Sequence, residues 1–123
     1  MLNKWQQFGR KSESIAADRL KKQGYSILEL NYRTKLGEID IIAKDKDTIV
    51  FVEVKARKSN SFGNPKFAVT YKKQKKISMV ALYYLKSTKQ SNSKARFDVV
   101  SIIAGKGSLG LEIIKNAFEL AYK

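Results

Sequence analysis

The stretch TIVFVEVK, residues 48–55, decides the fold and raises the first question about function. Its four consecutive apolar residues, Ile49–Val52, predict a strand buried within a sheet. The strand then carries a carboxylate at Glu53 and an ammonium at Lys55 toward the core. Because side chains alternate along a strand, both lie on the same face as Phe51. Two opposite charges therefore continue an apolar stripe, and something must compensate for them.

The surrounding sequence predicts the order α-β-β-β-α-β-β. Helices are expected at residues 3–23 (stopped by Gly24) and 67–87, with a short last helix at 117–122. Strands are expected at residues 25–33, 37–44, 48–57 and 95–104, with 111–114 as a fifth. The first three strands are joined by short turns and predict an antiparallel meander. We therefore expect one α/β domain over residues 1–123, with a central mixed sheet flanked by helices.

The composition restricts both the partner and the chemistry. Lys and Arg number 25 against 11 Asp and Glu, a formal net charge of +14, which indicates a polyanionic partner, either nucleic acid or an anionic membrane surface. The alternative is a lysine-rich composition with no such partner. The chain has no Cys and no His, which excludes thiolate zinc sites, Cys nucleophiles and His bases. A metal would need oxygen ligands, which favours magnesium, manganese or calcium.

The lengths of the apolar segments predict where in the cell the protein is located. No apolar run approaches the roughly 20 residues that a membrane helix needs. The N-terminal stretch MLNKWQQFGRKSES has no apolar signal-peptide core. We expect a cytoplasmic protein without a membrane partner.

A second acid lies in the strand before TIVFVEVK, within GEIDIIA. Alternation places Asp40 on one face with Glu38 and Ile42. If the two strands form a hairpin, Asp40 and Glu53 lie side by side, where two buried carboxylates repel each other. A divalent cation held by Asp40, Glu53, the backbone carbonyl of Val54 and waters would offset that cost.

Lys55 would then lie close to this metal. It could hold a scissile phosphate or help to deprotonate an attacking water. The alternative is a simple edge ion pair between Glu53 and Lys55, with Asp40 at a solvated strand end. The combination of an acidic strand with an E-x-K strand 13 residues later favours the metal site.

Glu13 is a further candidate, because helical spacing puts it on the apolar stripe of Ala16, Ala17 and Leu20. An acid on the stripe that faces a sheet could reach the same metal or orient its water. The alternative is a surface carboxylate paired with Arg10 or Lys21.

Several short motifs together resemble one known family. They are GEIDIIA, FVEVKARK, FGNP, AV, KKQKK, RFDVVSI and IKNAF, and they extend from about Gly9 to Phe118. In order and spacing they resemble the YraN family of small bacterial proteins. That family is similar in its core motif to the PD-(D/E)XK nucleases, which include archaeal Holliday-junction resolvases and restriction endonucleases.

The resemblance implies a restriction-endonuclease-like fold with a magnesium site. In the nuclease motif Asp40 matches the first acid, Glu53 the second and Lys55 the lysine. Glu13 matches the acid that many such nucleases carry on the first helix, and Gln74 falls where related enzymes place a polar residue near the active site. Ile39 stands where the motif has Pro, at a tolerant position.

The expected nucleic-acid surface is basic and lies beside this site. Lys72, Lys75 and Lys76 cluster on one face of the second helix by their i+3 and i+4 spacing. A phosphate backbone would relieve their mutual repulsion. The full set of expected contacts is Arg57, Lys58, Lys72, Lys73, Lys75 and Lys76.

These observations favour a metal-dependent endonuclease that uses Mg²⁺ or Mn²⁺ to cut DNA, including branched or structured DNA. One alternative is a non-catalytic nucleic-acid-binding module on a nuclease scaffold. Another is a structural partner within a larger DNA-processing assembly. By analogy with small nucleases that cut both strands, we expect a homodimer.

Overall fold

The structure, a computed structural model, describes residues 4–58, 69–105 and 108–120. Within these residues two helices and five strands follow one another. They are α1 (Lys4–Lys22), β1 (Ser26–Thr34), β2 (Gly37–Asp45), β3 (Thr48–Lys58), α2 (Tyr71–Ser87), β4 (Lys94–Gly105) and β5 (Ser108–Phe118). The order α-β-β-β-α-β-β is therefore confirmed.

The five strands form one mixed sheet in the order β1-β2-β3-β4-β5. The first three form the expected antiparallel meander. β4 then runs parallel to β3, and β5 is antiparallel to β4. A parallel neighbour needs a crossover connection, and α2 lies within that connection. The α/β class with a mixed sheet and helices is confirmed.

The two helices cover opposite faces of the sheet. α2 packs on the face of β3 that carries Ile49 and Phe51, where Tyr84 meets the Phe51 ring edge-on at 6.0 Å. α1 packs on the other face, against Val50 and Val52. The alternation expected for β3 is thus correct, and Glu53 and Lys55 belong to the α2 face.

The alternation expected for β2 is wrong around Asp40. Ile39 and Ile42 both pack in the cluster under α2, whereas Ile41 packs under α1. In a regular strand, residues three positions apart point to opposite faces. Ile39 and Ile42 can therefore share a face only where the alternation is interrupted. The pairing of β2 with β3 also ends here, at Ile41↔Val52. The two strands therefore stop pairing at the point where Asp40 and Glu53 follow.

The helix boundaries have local causes. Gly24 takes φ 95°, which ends α1 as expected because glycine adopts this conformation without steric cost. α2 begins at Tyr71 instead of 67. Thr70 is its N-cap, and the Thr70 hydroxyl accepts a hydrogen bond from the backbone N–H of Lys73 at 3.2 Å.

The expected fifth strand is present, but the helix expected at 117–122 is wrong over residues 117–120, the part of it that the structure describes. β5 is longer than the expected 111–114, and no helix begins at 117, because the strand continues to Phe118. The Phe118 ring stacks on Phe97 of β4 at 4.8 Å, which holds this segment on the sheet. Asn116 takes φ 53°, next to the register irregularity between β4 and β5. A left-handed Asn in a strand gives no periodic signal in the sequence.

Some expectations fall outside the described residues. The FGNP motif, residues 62–65, lies there, as do the side chains of Arg10 and Lys58. Neither α1 nor α2, the helices of the described part, is long and apolar enough to span a membrane.

Candidate metal and active site

Asp40 and Glu53 lie together at the point where β2 and β3 separate. They are the next residues on each strand after the last pair, Ile41↔Val52. Glu53 is buried and Asp40 is half-buried, and their two negative charges repel each other. Burial first, and then repulsion by Glu53, raise the pKa of Asp40 to about 6. The expected juxtaposition of the two acids is therefore present in the structure.

Val54 joins this pair through its backbone. Its N–H donates to Asp40 Oδ2 at 2.8 Å, which partly counteracts the rise in the pKa of Asp40. The N–H and C=O of a strand residue point toward the same neighbouring strand. The carbonyl of Val54 therefore faces the Asp40 side, beyond the last β2–β3 pair.

Lys73 is the site residue whose place the sequence did not predict. Its Nζ lies 2.7 Å from Glu53 Oε1, and the Glu53 side chain is only 7% exposed. Burial alone would lower the pKa of Lys73, but its contacts with Glu53 outweigh burial and raise it. Sequence reasoning grouped Lys73 with the outward lysines. The missed signal is its spacing of i+4 and i+11 to the buried residues Ile77 and Tyr84.

Lys55 lies in the same group of charges. Its pKa is lowered, first by burial and then by a hydrogen bond to Lys73 and the positive charge of that residue. The charges of Glu53 and Asp40 act in the opposite direction. Asp40, Glu53, Lys55 and Lys73, from two strands and one helix, thus interact electrostatically. Of the two lysines, Lys55 is the one whose charged form is disfavoured.

Glu13 approaches this group from α1. One of its carboxylate oxygens, Oε1, is buried and has no hydrogen-bond partner. Burial raises the pKa of Glu13, and repulsion by Asp40 and Glu38 raises it further. The sequence-derived placement of Glu13 toward Asp40 agrees with this geometry. Of the two alternative partners, Lys21 forms no ion pair with Glu13 among the described residues, and the side chain of Arg10 lies outside them.

The donors at this site fit a hard divalent cation. All of them are oxygens, which magnesium and manganese prefer, and the two adjacent carboxylates already repel each other. Within residues 4–58, 69–105 and 108–120 no three acidic side chains lie close enough to share a metal. Asp40, Glu53 and the Val54 carbonyl would therefore hold the ion, and Glu13 would act from farther away.

The remaining expected residues lie on α2 and β3. Gln74 follows Lys73, but its amide Nε2 donates to the backbone carbonyl of Val69 at 2.9 Å, the residue just before the N-cap. Arg57 is half-buried farther along β3. Lys72, Lys75 and Lys76 are exposed on α2, as the spacing predicted.

Asp98 is not part of this site. It is fully buried, and its carboxylate accepts hydrogen bonds from Arg96 Nε at 3.0 Å, the Tyr25 hydroxyl at 3.1 Å and the Asn116 N–H at 2.9 Å. Arg96 also binds Asp45 at 2.8 Å. This satisfied network ties β4 to β2, β5 and the segment between α1 and β1, which is a structural role.

Comparison with known proteins gives a consistent result. Residues 12–102 match the model of the uncharacterised protein family UPF0102. A UPF0102 protein of Desulfosudis oleivorans is 55% identical over 119 residues, 97% of this chain and 95% of its own. One of Syntrophus aciditrophicus is 51% identical over 93% of this chain and 90% of its own, and one of Clostridium botulinum is 48% identical over 91% and 94%.

Proposed function

The chain belongs to the uncharacterised protein family UPF0102, and we propose that it is a metal-dependent endonuclease that hydrolyses phosphodiester bonds of DNA. UPF0102 is the YraN family that the motifs indicated. This proposal builds on the resemblance of the YraN core motif to that of the PD-(D/E)XK nucleases. It includes their restriction-endonuclease-like fold. The observation that carries the proposal is the convergence of Asp40, Glu53 and Lys55 where β2 and β3 separate.

Each of these residues has a role that its environment supports. Asp40, Glu53 and the Val54 carbonyl hold Mg²⁺ or Mn²⁺. When bound, such an ion supplies Lewis-acid activation of the phosphate and makes water more acidic. Lys55 contacts a non-bridging oxygen of the scissile phosphate or accepts a proton from the attacking water, and its lowered pKa favours the second role. The free oxygen of Glu13 can accept a hydrogen bond from a water at the site.

The charge distribution supports a polyanionic substrate. The first two turns of α2 carry five basic or aromatic residues before Ile77 and no acid in the first turn. The amino end of a helix has a partial positive charge, so lysines there are unfavourable without a partner. Phosphates beside Lys72, Lys75 and Lys76 would offset both effects. A DNA substrate would place the protein in the cytoplasm.

Cleavage assays test this proposal directly. Linear, flapped and four-way DNA would be incubated with the protein in Mg²⁺, in Mn²⁺ and in a chelator. We expect cleavage that needs the metal and that falls at least about a hundredfold in Asp40→Ala and Glu53→Ala. Asp47→Ala is the matched control, since Asp47 is exposed and paired with Lys94 at the far end of β3. If both site variants cut as well as the parent protein, the mechanism is wrong.

One contact favours a second function, a non-catalytic nucleic-acid-binding module. Lys73 forms an ion pair with Glu53 and so compensates the charge that a metal would otherwise compensate. A scaffold that never binds a metal could retain such an ion pair for stability alone. DNA binding that falls steeply with salt, with no cleavage under any divalent metal, would support this function over the first.

A further inference from the structure

We propose that Lys73 is the resident counter-ion of this site, which a divalent cation must displace from Glu53 in order to bind. This inference rests on the proposed metal site and adds its regulation. The metal affinity of the protein is set by a residue on α2 that lies outside the two-strand motif.

Lys73 is held in place by its backbone and by its side-chain ammonium. Its backbone N–H is bound by the N-cap hydroxyl of Thr70 at 3.2 Å, which fixes the first turn of α2 over the sheet. Its Nζ then reaches Glu53 Oε1 at 2.7 Å. The neighbouring Lys72, Lys75 and Lys76 are exposed, so in this part of α2 it is Lys73 that turns inward.

The contact compensates a charge that would otherwise be costly. The Glu53 side chain is 7% exposed and lies beside the second carboxylate, that of Asp40. A buried carboxylate without a partner strongly destabilises a fold. Lys55 is on the same face of β3, but the ion pair of Glu53 is formed with Lys73. Lys73 is therefore the side chain that compensates the charge of Glu53 when no metal does.

A divalent cation and Lys73 compete for the same oxygen. An ion between Asp40 and Glu53 would place two positive charges within a few ångströms of the ammonium, and like charges at that distance repel strongly. The Lys73 side chain is 43% exposed and has a long flexible stem, so it can leave for solvent. Metal binding therefore includes the breaking of the Lys73–Glu53 pair.

This competition predicts two opposite effects of one substitution at Lys73, a gain in metal affinity and a loss of stability in the absence of metal. Lys73→Met keeps the stem and removes the charge. Without a competitor the site should bind metal more tightly, and without a counter-ion the metal-free protein should be less stable. A lysine with only a surface role would produce neither effect.

The test is a titration of Mn²⁺ into the full chain, with free Mn²⁺ followed by electron paramagnetic resonance. Lys72→Met is the matched control, since it removes the same charge from an exposed neighbour. We expect Lys73→Met to bind Mn²⁺ at least about tenfold more tightly than the parent protein, and Lys72→Met to stay within about threefold. Thermal unfolding should show a lower metal-free Tm for Lys73→Met and a larger rise on saturation with Mn²⁺.

The outcomes separate this inference from the proposed function. If the parent protein binds Mn²⁺ and Lys73→Met binds it equally or more weakly, the inference is overturned and the metal site remains. If neither protein binds Mn²⁺, both ideas are overturned. If only Lys73→Met binds it, the inference is supported and metal-dependent cleavage by the parent protein is overturned. Circular dichroism verifies folding, and Lys73→Gln replaces Lys73→Met if the latter is unfolded.

Discussion

The carboxylate of Asp40 accepts a hydrogen bond from the backbone N–H of Val54 at 2.8 Å, just beyond the last paired residues of β2 and β3. A side chain thus satisfies a backbone donor that the separated strands leave without a carbonyl. Because the N–H and C=O of a strand residue point the same way, the Val54 carbonyl faces the site as well. One break in strand pairing therefore positions two of the three proposed metal donors.

Asp40→Asn should stabilise the metal-free protein at pH 7.5 by about 1–3 kcal/mol. The pKa of Asp40 is raised from 3.8 to about 6, so between these two pH values the native state holds a proton that the unfolded chain has already lost. This contribution is complete below about pH 4 and is lost as the pH rises to about 6. Asn keeps an oxygen for the Val54 N–H and removes the charge.

Urea denaturation of both proteins between pH 4 and 8 measures this effect. The difference in free energy of unfolding should be small near pH 4 and should grow toward pH 6. Asp47→Asn is the control, since the pKa of Asp47 is lowered by its hydrogen bond and ion pair with Lys94. A difference that is independent of pH would contradict the assigned burial of Asp40.

The ionisation of Lys55 should depend on Lys73. Burial lowers the pKa of Lys55, and the hydrogen bond and charge of Lys73 lower it further. In metal-free protein, NMR titration of ¹³C-labelled lysine side chains should place the midpoint of Lys55 below the usual 10.5. Lys73→Met should move that midpoint upward, whereas Lys72→Met should not. An unchanged midpoint in Lys73→Met would mean that the two amines do not interact in solution.

Asp98→Ala should lower the free energy of unfolding by about 3–5 kcal/mol, because it leaves the Arg96 side chain, which is 19% exposed, without one of its carboxylates. Asp47→Ala should lower it far less, since solvent screens the pair of Asp47 and Lys94, whose side chains are 71% and 74% exposed. Chemical denaturation compares them. The Mn²⁺ affinity of folded Asp98→Ala should equal that of the parent protein, and a loss of binding would place Asp98 in the metal site.

Charge reversal on the exposed face of α2 should weaken DNA binding. Lys72→Glu and Lys76→Glu each remove a predicted phosphate contact, so the slope of log K against log salt should fall by about 0.9 per lost contact. Fluorescence anisotropy between about 50 and 200 mM salt measures it. Lys86→Glu, at the opposite end of α2, is the control. If all three variants weaken DNA binding equally, DNA is attracted by the net charge of the protein and not by this face of α2.

The sequence by itself predicted the features that depend on neighbouring residues. The alternation in β3 placed Glu53 and Lys55 on one face, and Gly24 ended α1. The short turn at 45–47 made β2 and β3 a hairpin, which brought Asp40 opposite Glu53. These follow from a period of two, a positive φ and a short loop, each of which is encoded within a few residues.

The tertiary structure decided the features that depend on residues far apart in the chain. The break of alternation at Asp40 follows from the packing of Ile39 and Ile42 under α2. The extension of β5 to Phe118 depends on its stacking against Phe97. The inward turn of Lys73 depends on a buried carboxylate twenty residues earlier. Such choices are set by burial and charge compensation between elements, which local sequence periodicity does not contain.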